Sequence, residues 1–365
     1  EGDLMGYLIS IKVAMLVFPV LAFIFTLPYM IMNYRKYGSV NKLRTVILYS
    51  FILYLLIIYL LVILPLPSRH SIHTNYIKML NPVPFTFVMD FIKKNPLVLS
   101  KPATWFKALR HPTVYVPVFN ILMLIPFGIY LRYYFKCSFK KTVLLTILLS
   151  LFFELTQLSG LYFIYPGPYR LADIDDIIQN AIGGCIGYAL GRLAMILLPS
   201  RDEIDERSLE AGSRVSGMRI CLSLLIDVLI VFIPYIISRA ALPFFVFSAL
   251  YFSLIPLLNG KTFGSAFLKF ALEFENAKYI RTILRGLLLT VYFCLIPSGL
   301  LYLMNEFNKN GESLLFLGLF AITFVIWLLF IVITIAVVLL NRRFLFDRLT
   351  GTGYRSTIKY NCRNK

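Results

Sequence analysis

Charge is scarce in this 365-residue chain: 15% of its residues are Asp, Glu, Lys or Arg, against about 25% in an ordinary soluble domain. Acidic residues are the scarcest, 18 against 36 basic ones, and there are three histidines. With 59% hydrophobic residues and a mean hydropathy of +0.78, too few charges remain to clothe a soluble globule. The five cysteines (Cys137, Cys185, Cys221, Cys294, Cys362) contain no CxxC pair. They support neither a disulfide framework nor a zinc site. His70 and His73 form an H-x-x-H with no third ligand nearby, so no metal and no cofactor are expected. There is no Walker loop, nucleophile elbow or H-E-x-x-H. Gly183-Gly-x-x-Gly187 follows no strand and reads as helix packing rather than a phosphate cradle. The N-terminus has neither a starting Met nor a basic n-region, so no cleavable signal peptide is expected.

What the chain does have is long apolar runs, several exceeding the roughly eighteen residues that mark a spanning helix. The fold class expected is an all-α polytopic membrane protein with about nine transmembrane helices in two bundles, five plus four. The spans read as 7–32, 44–64, 113–134, 142–163, 174–198, 219–237, 243–259, 281–304 and 314–340. Pro19, Pro28, Pro117 and Pro126 fall inside spans, where kinks are expected.

In such a protein a net charge of +18 points to loop asymmetry and not to nucleic acid. Basic residues gather after spans one, three, five and seven and in the tail. Loops 164–173, 238–242 and 305–313 carry one Lys or Arg each. The positive-inside rule then places the N-terminus outside and the C-terminus in the cytoplasm. The external loop 65–112 breaks the pattern with Arg69, Lys78, Lys93, Lys94, Lys101, Lys107 and Arg110 set among Phe85, Phe87, Phe91, Trp105 and Phe106. Long loops translocate despite their charge. This one suits an amphipathic segment on the outer leaflet, a contact with anionic wall polymers or lipid phosphates, or a solvated loop with interfacial aromatics. A hydrophilic stretch, 199–217, reads as a cytoplasmic linker between domains 1–198 and 218–365.

Polar residues inside a bilayer are costly and so informative. Glu154 and Gln157 are three apart near the outer end of span four. Asp173, Asp176, Asn180, Gly183 or Gly184, and Gly187 recur every three or four residues on one face of span five. Arg170, after Tyr165-Pro-Gly-Pro-Tyr169, falls between them. The simplest expectation is that Arg170 and the carboxylates neutralise each other, either only to hold the turn or also to receive a substrate. In the second half, Arg219 and Asp227 lie eight apart on span six, and Arg281 or Arg285 could partner Asp227.

The first set resembles the VanZ-like family of teicoplanin-resistance proteins. The likeness rests on E-x-x-Q (Glu154, Gln157), R-x-x-D-x-x-D-x-x-x-N-x-x-G-x-x-x-G (Arg170, Asp173, Asp176, Asn180, Gly183, Gly187), Asn120 with Pro126-Phe-Gly128, and Asn81-Pro-Val-Pro-Phe85, over about residues 40–198. It implies a multi-pass cell-envelope protein of a bacterial, Gram-positive-type cytoplasmic membrane, some relatives of which lower glycopeptide susceptibility. The second set is similar to RDD domains over about residues 213–355, with Arg219, Asp227 and Asp347 as the named arginine and aspartates. Gly260-Lys-Thr-x-Gly264 and Asp347-Arg-x-x-Gly-Thr352 add to the match, but Ser265 stands where that family has a lysine. This likeness implies ion coupling or structural pairing. Together they suggest a protein that binds, moves or shields a polyprenyl-phosphate-linked or other anionic envelope component. Glu154, Gln157, Arg170, Asp173, Asp176, Asn180 and Asn120 would be ligand-binding, with membrane lipids as partners. The alternatives are a membrane hydrolase or transferase using Glu154 or Asp176 as general base, and an ion-coupled transporter working through Asp227.

Overall fold

The computed structural model describes residues 2–64, 66, 67, 72, 76–274, 276–309 and 314–358, with side chains from residue 12 onward. Arg69, His70 and His73, the loop residues 310–313 and the tail from Lys359 lie outside the described residues.

The chain runs α1 (Gly2–Tyr37), α2 (Lys42–Ile63), β1 (Leu80–Asn81), α3 (Thr86–Lys94), α4 (Trp105–Leu109), α5 (Pro112–Tyr133), α6 (Phe139–Leu158), the single turn α7 (Gly160–Phe163), β2 (Ala172–Asp173), α8 (Ile174–Leu197), α9 (Arg201–Gly212) and α10 (Gly217–Val231). It continues with α11 (Ile233–Ser238), α12 (Ala241–Asn259), α13 (Phe263–Phe267), β3 (Phe270–Phe274), α14 (Lys278–Thr290), α15 (Ile296–Lys309), α16 (Leu314–Leu339), α17 (Leu345–Thr350) and β4 (Thr352–Ser356). Nine stretches among the described residues are long and apolar enough to cross a membrane, two of them built from consecutive helices: Gly217–Ser238 and Lys278–Lys309. The fold is all-α, with two short strand pairs as its sheet.

Two compact units emerge: Glu1–Ile24 with Lys42–Ile204, and Phe25–Asn41 with Asp205–Lys365. Residues 25–41 therefore group with the second half, where the sequence reading put them in the first. The stretch expected as a linker contains α9, which buries Ile204 and Ser208. The expected span 142–163 is replaced by α6. Ser138 caps its start by accepting from Lys141 N, and its end is set by Gly160 and three residues after it with left-handed φ, Leu161, Tyr162 and Phe163. Such a turn costs about 1–2 kcal/mol for each residue with a Cβ.

In the first unit, α5 and α8 touch backbone to backbone. A Cβ on Gly183 or Gly187 of α8 would strike the carbonyls of Ile121 or Ile125 on α5. Small residues permit that approach, which holds membrane helices together by packing rather than by hydrophobicity. Behind it, Ile58, Leu124 and Phe153 pack together from α2, α5 and α6. The second unit is organised around Phe252, Phe270, Leu289, Phe344 and Phe346, all nearly inaccessible. The antiparallel pair β3–β4 lies against this core through Phe270 and Tyr354.

Candidate functional site

The site in the first unit is assembled at the N-terminal end of α8. β1 and β2 pair in parallel, Leu80 with Ala172 and Asn81 with Asp173, which brings residues 92 positions apart side by side. Asp173 then caps α8: its carboxylate accepts from Asp175 N (2.9 Å) and from Asn81 Nδ2 (3.0 Å). An acidic cap suits the partial positive charge of a helix start. Asp175, 2% exposed, turns the other way and receives three donors from the start of α3: Phe85 N (2.6 Å), Thr86 Oγ1 (2.6 Å) and Phe87 N (2.9 Å). Phe85 adopts φ 64° to make this contact, an uncommon conformation for a bulky residue. Asp175 thus staples a nine-residue helix over the site. A helix that short does not hold itself in water.

Asp176 faces α5. Asn120 donates to Asp176 Oδ1 (2.7 Å) and to Gln179 Oε1 (2.9 Å). Glu154 on α6 is 7% exposed and accepts one hydrogen bond, from Asp173 N (3.0 Å). Asn180 donates to Ser150 Oγ (2.8 Å), while its buried carbonyl oxygen meets no partner among the described residues. The single face expected for α8 is therefore divided. Asp176, Gly183 and Gly187 look toward α5, whereas Asn180 and Gly184 look toward Ser150 and Thr146 of α6.

Arg170 corrects the expected neutralisation. Its guanidinium donates to the carbonyls of Val62 (3.0 Å) and Leu64 (3.1 Å) at the end of α2, and Gln157 Nε2 donates to Val62 as well (2.9 Å). No ion pair among the described residues includes Arg170. The physical reason is that the last carbonyls of α2 are unpaired acceptors at a negative helix end, which a fixed planar donor fork satisfies well. Beside it, burial pushes the Tyr169 hydroxyl up to about 12, against the opposing pull of Arg170, so it stays neutral.

Two hollows share Asp173 in their lining. One is a polar cleft of about 450 Å³ between α3 and the ends of α5 and α8; its charged lining is Asp90, Lys94, Asp173, Asp175 and Asp176, with His111 and Gln179. Asp90 is held by Lys94 at 2.8 Å. The other is an apolar groove of about 310 Å³ between α6 and α8, lined by Leu80, Pro82, Leu151, Leu155, Leu158, Ile174 and Ile177, with Glu154 and Asp173 also in its wall. Of the expected site residues, Asn120 meets Asp176 and Glu154 meets the backbone of Asp173. Asp175, Thr86, Asp90, His111 and Gln179 join the cleft wall without having been expected there. Asp175 lies off the helical repeat that the sequence reading followed, and the others come from the loop or the buried side of α8. Asn81 was visible in its N-x-x-P-F segment.

In the second unit the polar residues are consumed internally. Arg219, fully buried, donates to the carbonyls of Leu268 (2.9 Å), Lys269 (2.7 Å), Gly212 (3.0 Å) and Gly38 (3.3 Å). Asp227 accepts from Tyr251 Oη, Thr262 Oγ1 and Gly264 N, each at 2.6 Å. A Cβ at Gly264 would collide with the Ser223 carbonyl, which explains the glycine. The arginine expected to partner Asp227 instead binds the other aspartate. Arg285 Nε donates to Asp347 Oδ1 (2.8 Å), and Tyr354 Oη closes the set by accepting from Arg285 (2.9 Å) and donating to Asp347 (2.6 Å). Burial raises the Tyr354 hydroxyl far above its ordinary value. Arg281 is not part of this network. The four described cysteines are free thiols, and no cluster of His, Cys, Asp or Glu able to hold a metal occurs among the described residues.

A family model described as VanZ/LLP1 matches residues 51–197. The chain therefore carries a VanZ-like domain, and the match takes in Asn120, Glu154, Gln157, Arg170, Asp173, Asp176 and Asn180. No curated protein and no solved structure matches the chain.

Proposed function

We propose that the VanZ-like half holds a lipid-linked envelope molecule, its chain in the apolar groove and its headgroup in the polar cleft, and that this occupancy gives glycopeptide protection of the teicoplanin-resistance kind. The observation that carries the reading is that the two hollows share Asp173 in their walls. A lipid needs an apolar slot and a polar chamber joined end to end. The cleft wall is rich in carboxylates, so it suits hydroxyl or ammonium donors of the headgroup. Lys94 in the cleft wall is already paired with Asp90, and Arg170 serves the turn. By the positive-inside asymmetry the cleft opens on the outer face, with the C-terminus in the cytoplasm.

The test is photolabelling of the full-length protein with a polyprenyl phosphate carrying a diazirine in its chain. Leu155→Trp and Ile177→Trp should fill the groove and abolish labelling at unchanged protein level. Labelling equal to the parent in both would end this reading. Orientation is checked separately. In a cysteine-replaced background, Cys at position 90 should react with an impermeant maleimide on intact cells, and Cys at 207 only after permeabilisation.

An enzymatic reading has one observation in its favour: a Glu154 oxygen without a hydrogen-bond partner among the described residues, beside the groove. It predicts a released product from the same lipid, lost in Glu154→Gln. We assign the RDD-like second half, residues 213–355, a structural role. Asp227 has three donors and no exposure, which leaves it poorly placed to take up a coupling ion.

A further inference from the structure

The segment 76–112 carries six basic residues and one acidic residue, Asp90, which Lys94 already engages. Its apolar side chains are turned outward: Ile92 is 69% exposed, Leu99 79%, Phe106 64% and Leu109 64%, with Phe85 and Trp105 also exposed. Lys93, Lys101, Lys107 and Arg110 are exposed among them. The surface is preformed. Asn95 donates to Ala108 O (3.2 Å) and Thr113 Oγ1 (2.9 Å), and Thr104 accepts from Val98 N (3.0 Å), which ties α3 and α4 to the start of α5. Arg110 lays its guanidinium over the Phe106 ring at 4.1 Å, an arrangement that keeps the charge at the level of the apolar body.

We infer that this face docks on the anionic lipid headgroups of the adjoining leaflet and gathers them beside the cleft. Solvent alone would leave the apolar side chains wet, and a charged polymer would satisfy only the cations. A second copy would bring like charge against like charge. Only an interface with apolar depth and anionic headgroups satisfies both sets of side chains at once. The opposite side of the same helix α3 contributes Thr86, Phe87, Asp90 and Lys94 to the cleft, so headgroups collected here lie next to its mouth. This inference does not depend on what occupies the groove.

Trp105 is a built-in reporter, because the chain has two tryptophans and Trp327 lies within α16. Full-length Trp327→Phe protein would be reconstituted in vesicles of three parts phosphatidylcholine to one part phosphatidylglycerol. One or the other lipid would be brominated near its headgroup at equal mole fraction. A Lys or Arg at an anionic surface enriches such lipid about fivefold locally, so brominated phosphatidylglycerol should quench Trp105 at least about twofold more than brominated phosphatidylcholine. Aqueous iodide should quench weakly. The excess should disappear when Lys93, Lys101, Lys107 and Arg110 are all changed to Gln, and Lys107→Gln alone should reduce it if the fourfold variant does not fold. Equal quenching by the two lipids overturns the inference. So does strong iodide quenching, which means a solvated loop, or silence toward lipid and iodide alike, which means a protein partner covers the face.

Discussion

Asp175 offers the sharpest test of how the site is held together. Its carboxylate joins the start of α8 directly to the start of α3 through two backbone N–H groups and one hydroxyl, beside Asn81 Nδ2, which bridges Thr86 Oγ1 and Asp173. Hydrogen bonds to a charged group contribute about 1.5–3 kcal/mol each, and they do not add fully. Asp175→Ala also leaves the Phe85 and Phe87 N–H groups without acceptors, so a loss of about 3–5 kcal/mol is expected at this junction. That exceeds what a nine-residue helix can contribute to its own ordering. Hydrogen exchange read by mass spectrometry on the full-length protein in nanodiscs should show amides of 86–94 exchanging a hundredfold or more faster, on the order of tenfold per 1.4 kcal/mol. Peptides from 177–197 should keep their protection, because the glycine contacts of α8 with α5 are untouched. Asp175→Asn retains an acceptor oxygen but loses the charge and turns an N–H₂ toward a donor, so it should fall between, at about 1.5–3 kcal/mol. Unchanged exchange over 86–94 in the Ala variant would refute the argument that Asp175 staples α3. Equal acceleration throughout α8 would show instead that the residue supports the whole bundle.

Arg170→Gln should cost about 1–2 kcal/mol of thermal stability, by weakening the cover over the α2 carbonyls, while polyprenyl phosphate labelling persists. Lost labelling in a stable protein would return Arg170 to the ligand. Gly187→Ala forces α5 and α8 apart and should lower stability by about 1–3 kcal/mol in a denaturation assay; no change would mean the helices are not in backbone contact. Asp347→Asn should destabilise by about 3–5 kcal/mol, because it leaves Arg285 charged and buried. Pairing it with Arg285→Met should recover much of the loss, and an additive double variant would contradict the pairing.

The spans were legible because the bilayer imposes a length and a polarity that no soluble environment relaxes. Their ends were less so. The end of α6 depends on a left-handed turn at Gly160–Phe163, and Leu161, Tyr162 and Phe163 give no local sign that they would adopt it. The expectation that Glu154, Asp173, Asp176 and Asn120 gather was readable, since expensive polar groups in a membrane must face one another. Their actual partners were not. Arg170, Arg219 and Asp227 bind main-chain carbonyls, main-chain N–H groups or hydroxyls, which every sequence contains and none advertises. Spacing suggested Arg281 or Arg285 for Asp227 because charge is visible in a sequence, whereas the N–H of Gly264 is not.

The same contrast separates the two halves of the chain. In the second unit the buried charges find their complement nearby: Arg285 and Asp347 pair, Asp227 is saturated by three donors, and Arg219 is saturated by carbonyls. A network satisfied to that degree favours one arrangement and has little capacity left for a ligand. In the VanZ-like unit the accounting stays open. Asp173 and Asp175 are engaged in holding β1, α3 and α8 together, but Glu154 and Asp176 each accept a single bond from the described residues while lining a hollow. Unspent acceptor capacity beside an apolar groove is what a donor-bearing lipid headgroup would complete, and removing it should matter differently in the two units. Asp227→Asn should act on stability, whereas Asp176→Asn should leave stability nearly intact and reduce lipid labelling. Equal loss of stability in both variants would mean that the VanZ-like carboxylates are as structural as those of the second half.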